Sequence, residues 1–276
     1  MGTLNALTVD LEDWYHICGV ERYSDPHQWD AYESRICKNT DKILTLLENY
    51  NVRATFFVLG YIASREPDLI RKIKEKGHEI ATHGFYHRRV FDLSEQEFEE
   101  DVKMSISTIS SVTGERVLGF RAPEWSMRKE TLWALNVLRR SGILYDSSMV
   151  PLTRMGDRTF PLHPVKFDTD HGEIWEVPLS TVRLFWEHIP FSGGLPLRMV
   201  PYFYIVSTVR KINRQGIPAV VYIHPWEFDR EQPHIDLPLS RRFMHYFNIG
   251  VTPKKVEGLL QHFRFAPIKE AIRLTE

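Results

Sequence analysis

The chain has 276 residues, 43% hydrophobic and 26% charged, which is enough apolar material for a sizeable buried core. A formal net charge of −1 provides no global field toward nucleic acid or an anionic membrane, so the partner expected on charge alone is neutral or of mixed charge. Cys18 and Cys37 are too few for a disulfide framework and form no CxxC metal pair, and they are expected as free thiols in a reducing compartment.

The opening Met1-Gly2-Thr3-Leu4-Asn5 has no basic n-region and no long apolar stretch, so no signal peptide is expected. No run reaches the ~18 apolar residues of a membrane span. The expectation is a soluble cytoplasmic protein with no transmembrane segment.

Leu7-Thr8-Val9 reads as a strand ending in acids, and Asn39 to Tyr50 carries a helical stripe at Ile43, Leu44, Leu46 and Leu47. Ala54 to Leu59 is a buried-strand pattern rich in aromatic and β-branched residues. Pro67 to Lys76 reads as a helix with Pro in its first turn and Gly77 past its end, and His78 to Thr82 is the next strand. Ser94 with Glu97 is a capping-box pattern opening a long helix that Gly114 terminates. Val117 to Phe120 is a short strand, Lys129 to Ser141 a helix closed by Gly142, and Ile143-Leu144-Tyr145 a strand. Val150 to His171 lacks periodicity and reads as a long loop. Glu173 to Pro178 is a short strand, and Glu187 to Pro201, with Ser192-Gly193-Gly194, is an excursion. Phe203 to Gln215 is a helix closed by Gly216, Pro218 to Ile223 a strand, and Thr252-Pro253 cap a last helix through Phe263. Alternating β and α units predict a parallel sheet. Six or seven strands point to an α/β fold, a distorted, incomplete (β/α) barrel with about seven parallel strands. With no linker-like composition, one domain spans residues 1–276.

In such folds chemistry collects at the C-terminal ends of the strands. Five polar clusters sit there: Asp10, Glu12 and Asp13; His83 and His87; Arg121 to Trp125; Asp146; and His224 to Glu227. His83 and His87, four apart, would lie on one face of a helical turn and could offer two imidazoles to one divalent cation. Two histidines with a carboxylate and open positions suit a catalytic metal better than a structural one.

The segments Thr8-Val9-Asp10-Leu11-Glu12-Asp13, Thr82-His83-Gly84-Phe85-Tyr86-His87, Arg121-Ala122-Pro123-Glu124-Trp125 and Tyr222-Ile223-His224 resemble, in order, the motifs of the polysaccharide deacetylase family. This is the NodB homology domain, carbohydrate esterase family 4. The runs VDLEDWYH, FRAPEWS, YDSSMVP, HPWEFD and HYFNIGVTPKKVEGLL are similar to the exosortase-associated members, and the resemblance covers about residues 4 to 270, with a family-specific part from about 200 to 276. It implies a divalent metal, zinc first with cobalt, nickel or manganese as alternatives, held by two histidines and one acid. Carried over, His83 and His87 are ligands, Asp10 the general base, Arg121 the group that orients Asp10, and His224 the general acid. Asp146 joins the catalytic candidates, and Trp125 and Trp226 would wall a sugar ring.

Three departures stand out. Leu11 follows Asp10 where the family places a second aspartate, so the acidic ligand is Glu12 or Asp13. Strand alternation favours Glu12, while family habit leans slightly to Asp13. Glu124 intervenes before Trp125, and Tyr222 replaces the usual Leu two residues before the catalytic histidine, beside the pocket for the acetyl methyl. The implied activity is metal-dependent removal of N-acetyl groups from N-acetylhexosamine units of a polysaccharide or its lipid-linked or oligosaccharide precursor. The implied setting is exopolysaccharide biosynthesis, in association with a membrane polysaccharide-assembly complex. The alternatives are hydrolysis of another small amide, a formamido sugar or ureide, and a catalytically silent saccharide-binding domain.

Overall fold

The computed structural model describes residues 2–18, 20–153, 156–184 and 187–275, which include every candidate site residue. Met1, at the start of the segment read for a leader, and Arg154 and Met155, inside the expected 150–171 loop, lie outside them. In the first half one or two helices follow each strand: β1 (Leu4–Leu11), α1 (Glu21–Ser24), α2 (Ile36–Asn49), β2 (Thr55–Val58), α3 (Gly60–Arg65), α4 (Pro67–Glu75), β3 (Glu79–Thr82), α5 (Glu95–Thr113), β4 (Gly119–Phe120), α6 (Trp133–Arg140) and β5 (Tyr145–Asp146). Two hairpins follow, β6 (Val165–Thr169) with β7 (Gly172–Glu176), and β8 (Thr181–Leu184) with β9 (Glu187–Pro190). The chain ends with α7 (Gly194–Met199), α8 (Tyr202–Asn213), β10 (Val220–Ile223), α9 (Leu239–Tyr246), α10 (Thr252–His262), β11 (Arg264–Ala266) and α11 (Ile268–Ala271).

The strands pair in the order β10-β1-β2-β3-β4-β5-β7-β6, with β11 also on β1. From β10 to β7 every pairing is parallel, giving the seven-stranded arc the sequence predicts. Strands β2 and β3 are buried at every position because both faces are covered, which is why they read as continuous apolar runs. No ladder joins β10 to the far end of the arc among the described residues. There Val220 N donates to Ser180 Oγ at 2.8 Å, a single bridge where a closed barrel would have a strand pair.

Helix ends follow local chemistry. Ser94 and Glu97 form the reciprocal capping box at the start of α5, and Gly114 closes it with a left-handed φ of 70°. The helix expected over 129–141 begins as a 3₁₀ turn, Lys129–Thr131, and becomes α-helical only at Trp133. The expected loop at 150–171 contains β6, whose mostly exposed side chains give no apolar signal, and the 187–201 excursion contains β9 and α7. Strand β11, three residues long, exists because Leu4 to Ala6 offers it an edge to pair with.

Gly60 lets α3 pack against α5 and against the segment after β3: an added Cβ would lie 2.3 Å from the Phe85 ring and 2.9 Å from Ser105 Cα. Gly60→Ala is expected to lower the unfolding free energy by about 1–3 kcal/mol through overpacking, read as a lower urea midpoint. An unchanged midpoint would show that this contact can open freely.

Candidate active site

Strand register sets the level of the site. Leu11 pairs with Val58, Val58 with Thr82, Thr82 with Phe120, and Phe120 with Asp146. The next residue along each strand is Glu12, Leu59, His83, Arg121 and Ser147, so Glu12, His83 and Arg121 emerge at one height. On the other side of β1, Val9 pairs with Ile223, which puts Asp10 level with His224.

Glu12 Oε1 lies 3.0 Å from both His83 Nε2 and His87 Nε2, and all three side chains are buried. His83 donates from Nδ1 to the Arg121 carbonyl at 2.8 Å, leaving Nε2 free to offer a lone pair. His87 Nδ1 rests 3.3 Å from Cys18 Sγ, whose thiol donates to the His87 carbonyl at 3.1 Å. Candidate ligand atoms of Glu12, His83 and His87 fall within 4.8 Å of one another, as do those of Asp10, Glu12 and His224. Two imidazoles and one carboxylate, each imidazole anchored through its other nitrogen, match the donor set of a divalent transition metal. Burial alone would raise Glu12, but the charges of His87 and His224 and hydrogen bonds from His83 and His87 hold it well below the usual carboxylate range. Burial alone would lower His87, but Cys18 and Glu12 raise it well above the usual imidazole range. The same field that holds a proton on His87 favours a cation in its place.

The histidines converge for a different reason from the helical spacing expected of them. No helix covers 83–87; the chain leaves β3 and turns through left-handed conformations at Gly84 (φ 77°) and His87 (φ 53°). Of the two acids left open by the sequence, the structure brings Glu12 to the histidines and not Asp13. Asp13 accepts from Trp14 N, Ser34 Oγ, Arg35 N and Ile36 N at 2.8–3.1 Å, tying the first loop to the start of α2.

Arg121 is fully buried, and its Nη1 donates to Asp10 Oδ1 and Thr8 Oγ1, both at 2.7 Å. Its Nη2 reaches Ser147 Oγ at 2.8 Å and its Nε the Ser147 carbonyl at 3.1 Å. Across the cleft, His224 Nε2 stands 4.0 Å from Asp10 Oδ2, and His224 donates from Nδ1 to Glu227 Oε1 at 2.8 Å. Glu227 also accepts from Gly194 N at 3.0 Å and from Thr252 Oγ1 at 3.3 Å. Burial alone would lower His224, but Glu12, Glu227 and Asp10 together raise it. Glu227 was within the sequence cluster but unassigned, and its three-residue spacing from His224 was the available signal. Cys18 offered none.

Asp146 does not join Asp10 and His224. Its carboxylate accepts from Ser148 Oγ, which in turn accepts from Ala122 N at 2.7 Å, and it faces Glu176 beneath the loop that carries Arg121. Trp226 is sandwiched between His224 (5.0 Å, 23°) and His245 (4.5 Å, 14°), so neither face is open to a sugar. Trp125 packs edge-on to Tyr222 at 5.0 Å, and Tyr222 meets His224 at 5.3 Å. Gly193 lies against Tyr222, where an added Cβ would come within 2.1 Å of the ring.

Residues 29–143 match the family model described as polysaccharide deacetylase, and residues 147–273 match one described as a domain of unknown function (DUF3473). The site draws on both segments and on β1 before them. The chain is 31% identical over 110 residues to a peptidoglycan deacetylase-like protein, FGM2, of Gibberella zeae, covering 39% of this chain and 32% of that protein. It spans about a third of the length of the curated relatives it matches. Among solved structures, a Mycobacterium smegmatis protein assigned to the polysaccharide deacetylases shares 22% identity with a TM-score of 0.66, covering 100% of this chain and 93% of that one. A family 4 carbohydrate esterase pseudoenzyme from Bacillus anthracis shares 15% identity with a TM-score of 0.51, covering 98% and 66%. At these identities the likeness is one of fold, that of the (β/α)-barrel-like deacetylases.

Zinc titration separates the two acids. Glu12→Gln is expected to weaken zinc affinity by at least about 10-fold, whereas Asp13→Asn should leave it unchanged and lower the melting temperature. The reverse pattern would return the ligand role to Asp13.

Proposed function

We propose, from the match of residues 29–143 to the polysaccharide deacetylase model, a metal-dependent hydrolase that removes N-acetyl groups from N-acetylhexosamine units of a polysaccharide or its lipid-linked or oligosaccharide precursor. The observation that carries this reading is the pair Asp10 and His224, 4.0 Å apart, beside the Glu12, His83 and His87 cluster. Amide hydrolysis needs a base for the attacking water, an acid for the departing amine and a positive centre for the carbonyl oxygen. A divalent ion held by Glu12, His83 and His87, zinc first among the candidates, would supply Lewis acidity toward the carbonyl and the water.

Asp10 then accepts the water's proton at Oδ2, while Arg121 holds Oδ1 and fixes the carboxylate's rotation. His224 carries a proton at Nε2 toward the cleft and delivers it to the amine nitrogen as the C–N bond breaks. Glu227 anchors Nδ1–H, and its charge, with those of Glu12 and Asp10, favours the protonated imidazole. A silent saccharide-binding domain, as the pseudoenzyme of like fold suggests, is disfavoured by the intact acid–base pair. The match over 147–273 is consistent with the exosortase-associated subtype, and hence with a role in exopolysaccharide biosynthesis.

Asp10→Asn should lower acetate release from N-acetylated hexosamine oligosaccharides by at least about 100-fold while leaving bound zinc unchanged. Full activity would remove Asp10 as the base. Because the acid must be protonated, activity falls as pH rises through the raised value of His224. Glu227→Gln removes one of the charges that raise it, so the alkaline limb of kcat/KM should move to lower pH. An unmoved limb would show that Glu227 does not govern the acid.

A further inference from the structure

Six large apolar side chains stand exposed on neighbouring elements. Leu239 is 84% exposed, Phe243 49%, Met244 48% and Phe247 37%, with Met199 at 54% and Phe203 at 73%. Leu239, Phe243 and Phe247 are four apart, so they line one face of α9 and the residue that follows it. Arg198 Nη1 and Nη2 donate to the carbonyls of Met244, His245 and Phe247 at 2.6–2.9 Å, which locks the end of α7, with Met199, to the end of α9. Lys255 Nζ donates to the carbonyls of Leu197, Arg198 and Val200 and binds α10 to the same corner. An apolar group of this extent is rare on a protein surface that meets only water.

Charge identifies what covers it. The net charge of −1 conceals a local bias: no Asp or Glu occurs from His188 to Trp226 or from Leu237 to Val256. Arg242 on α9 and Lys254 on α10 are exposed, and the nearest acids in sequence, Asp236 and Glu257, fall just beyond the two ends of the second stretch. A second copy of the same surface would bring like charges together. An apolar helix face flanked on its own helix by Arg242 and by no acid fits a layer that is apolar within and anionic at its border.

We propose that α9, with Met199 and Phe203, docks onto an anionic phospholipid bilayer. The helix lies in the interface plane, Leu239, Phe243 and Phe247 reach the acyl boundary, and Arg242 and Lys254 face the headgroup phosphates. The opposite face of α9 belongs to the site: His245 stacks on Trp226, which stacks on His224, and Arg241 donates to the Cys18 carbonyl at 2.6 Å. Docking therefore holds the cleft close to the bilayer, where a lipid-linked saccharide is met. That consequence rests on the deacetylase reading. The docking does not, and vesicle binding is measured without substrate, so either can fail alone.

The test is co-sedimentation of the full chain with phosphatidylcholine vesicles, with and without about one third phosphatidylglycerol. Binding to the anionic vesicles is expected, at least about tenfold weaker to neutral ones and weakened by salt. The double variant Leu239→Ser with Phe243→Ser should lose at least about tenfold in affinity with its melting temperature unchanged, because both side chains are exposed. Arg242→Glu, which leaves the apolar face intact, should weaken only the anionic binding. No binding to either vesicle, equal binding to both, or binding that the double variant leaves unchanged would overturn the proposal. So would a concentration-dependent dimer that the double variant dissolves, since a second copy would then be the occupant.

Discussion

The Arg121 guanidinium is the group on which the site depends. A cation with no exposed surface is stable only where its donors are met and an opposite charge lies close, and breaking such a buried pair costs about 3–5 kcal/mol. Its partners come from several places: Thr8 and Asp10 on β1, Ser147 after β5, and the rings of Phe57 on β2 and Trp125 after β4. One side chain thereby ties four strands together at the end where the chemistry lies. Its backbone carbonyl fixes the ring of His83, so the orientations of Asp10, the proposed base, and of one candidate ligand pass through the same residue.

Beneath this clamp lies a second buried polar layer. Asp146 and Glu176 pair across β5 and β7, and burial together with the charge of Asp146 keeps Glu176 protonated well above the usual range. Glu176 also accepts from Met149 N at 3.0 Å, and Asp146 acts through Ser148 on Ala122 N, next to Arg121. These carboxyls hold the loops after β4 and β5 at fixed height. Their work is positional, and it explains why an acid at a strand end need not touch the reacting atoms.

Backbone strain gathers in the same region. His87, Glu124 and Trp125 all adopt left-handed conformations that non-glycine residues rarely take, with φ between 50° and 54°. At His87 the turn aims the imidazole at Glu12. At Glu124 and Trp125 it folds the indole under Arg121 and against Tyr222. Gly193, with φ 62°, brings the excursion down onto the Tyr222 ring, and the next residue donates to Glu227.

Local chemistry by itself determined the alternating elements, the seven parallel strands, the capping box at Ser94 and the strand-end positions of Asp10, His83, Arg121 and His224. These depend on apolar runs and on turn residues a few positions away, which a sequence displays directly. Tertiary structure decided the rest. That Glu12 faces the two histidines and Asp13 does not depends on where the backbone amides of Arg35 and Ile36 lie, more than twenty residues along the chain. The meeting of His83 and His87 depends on a left-handed turn, which spacing alone misread as a helix. Trp226 was expected as a wall for a sugar, but His245, nineteen residues further on, occupies its other face. Glu227 became the partner of His224 only once the 3₁₀ turn Pro225–Phe228 had carried its carboxylate back to Nδ1. In each case the deciding interaction is a hydrogen bond or ring contact whose partner is set by folding, whereas the elements themselves are set by periodicity.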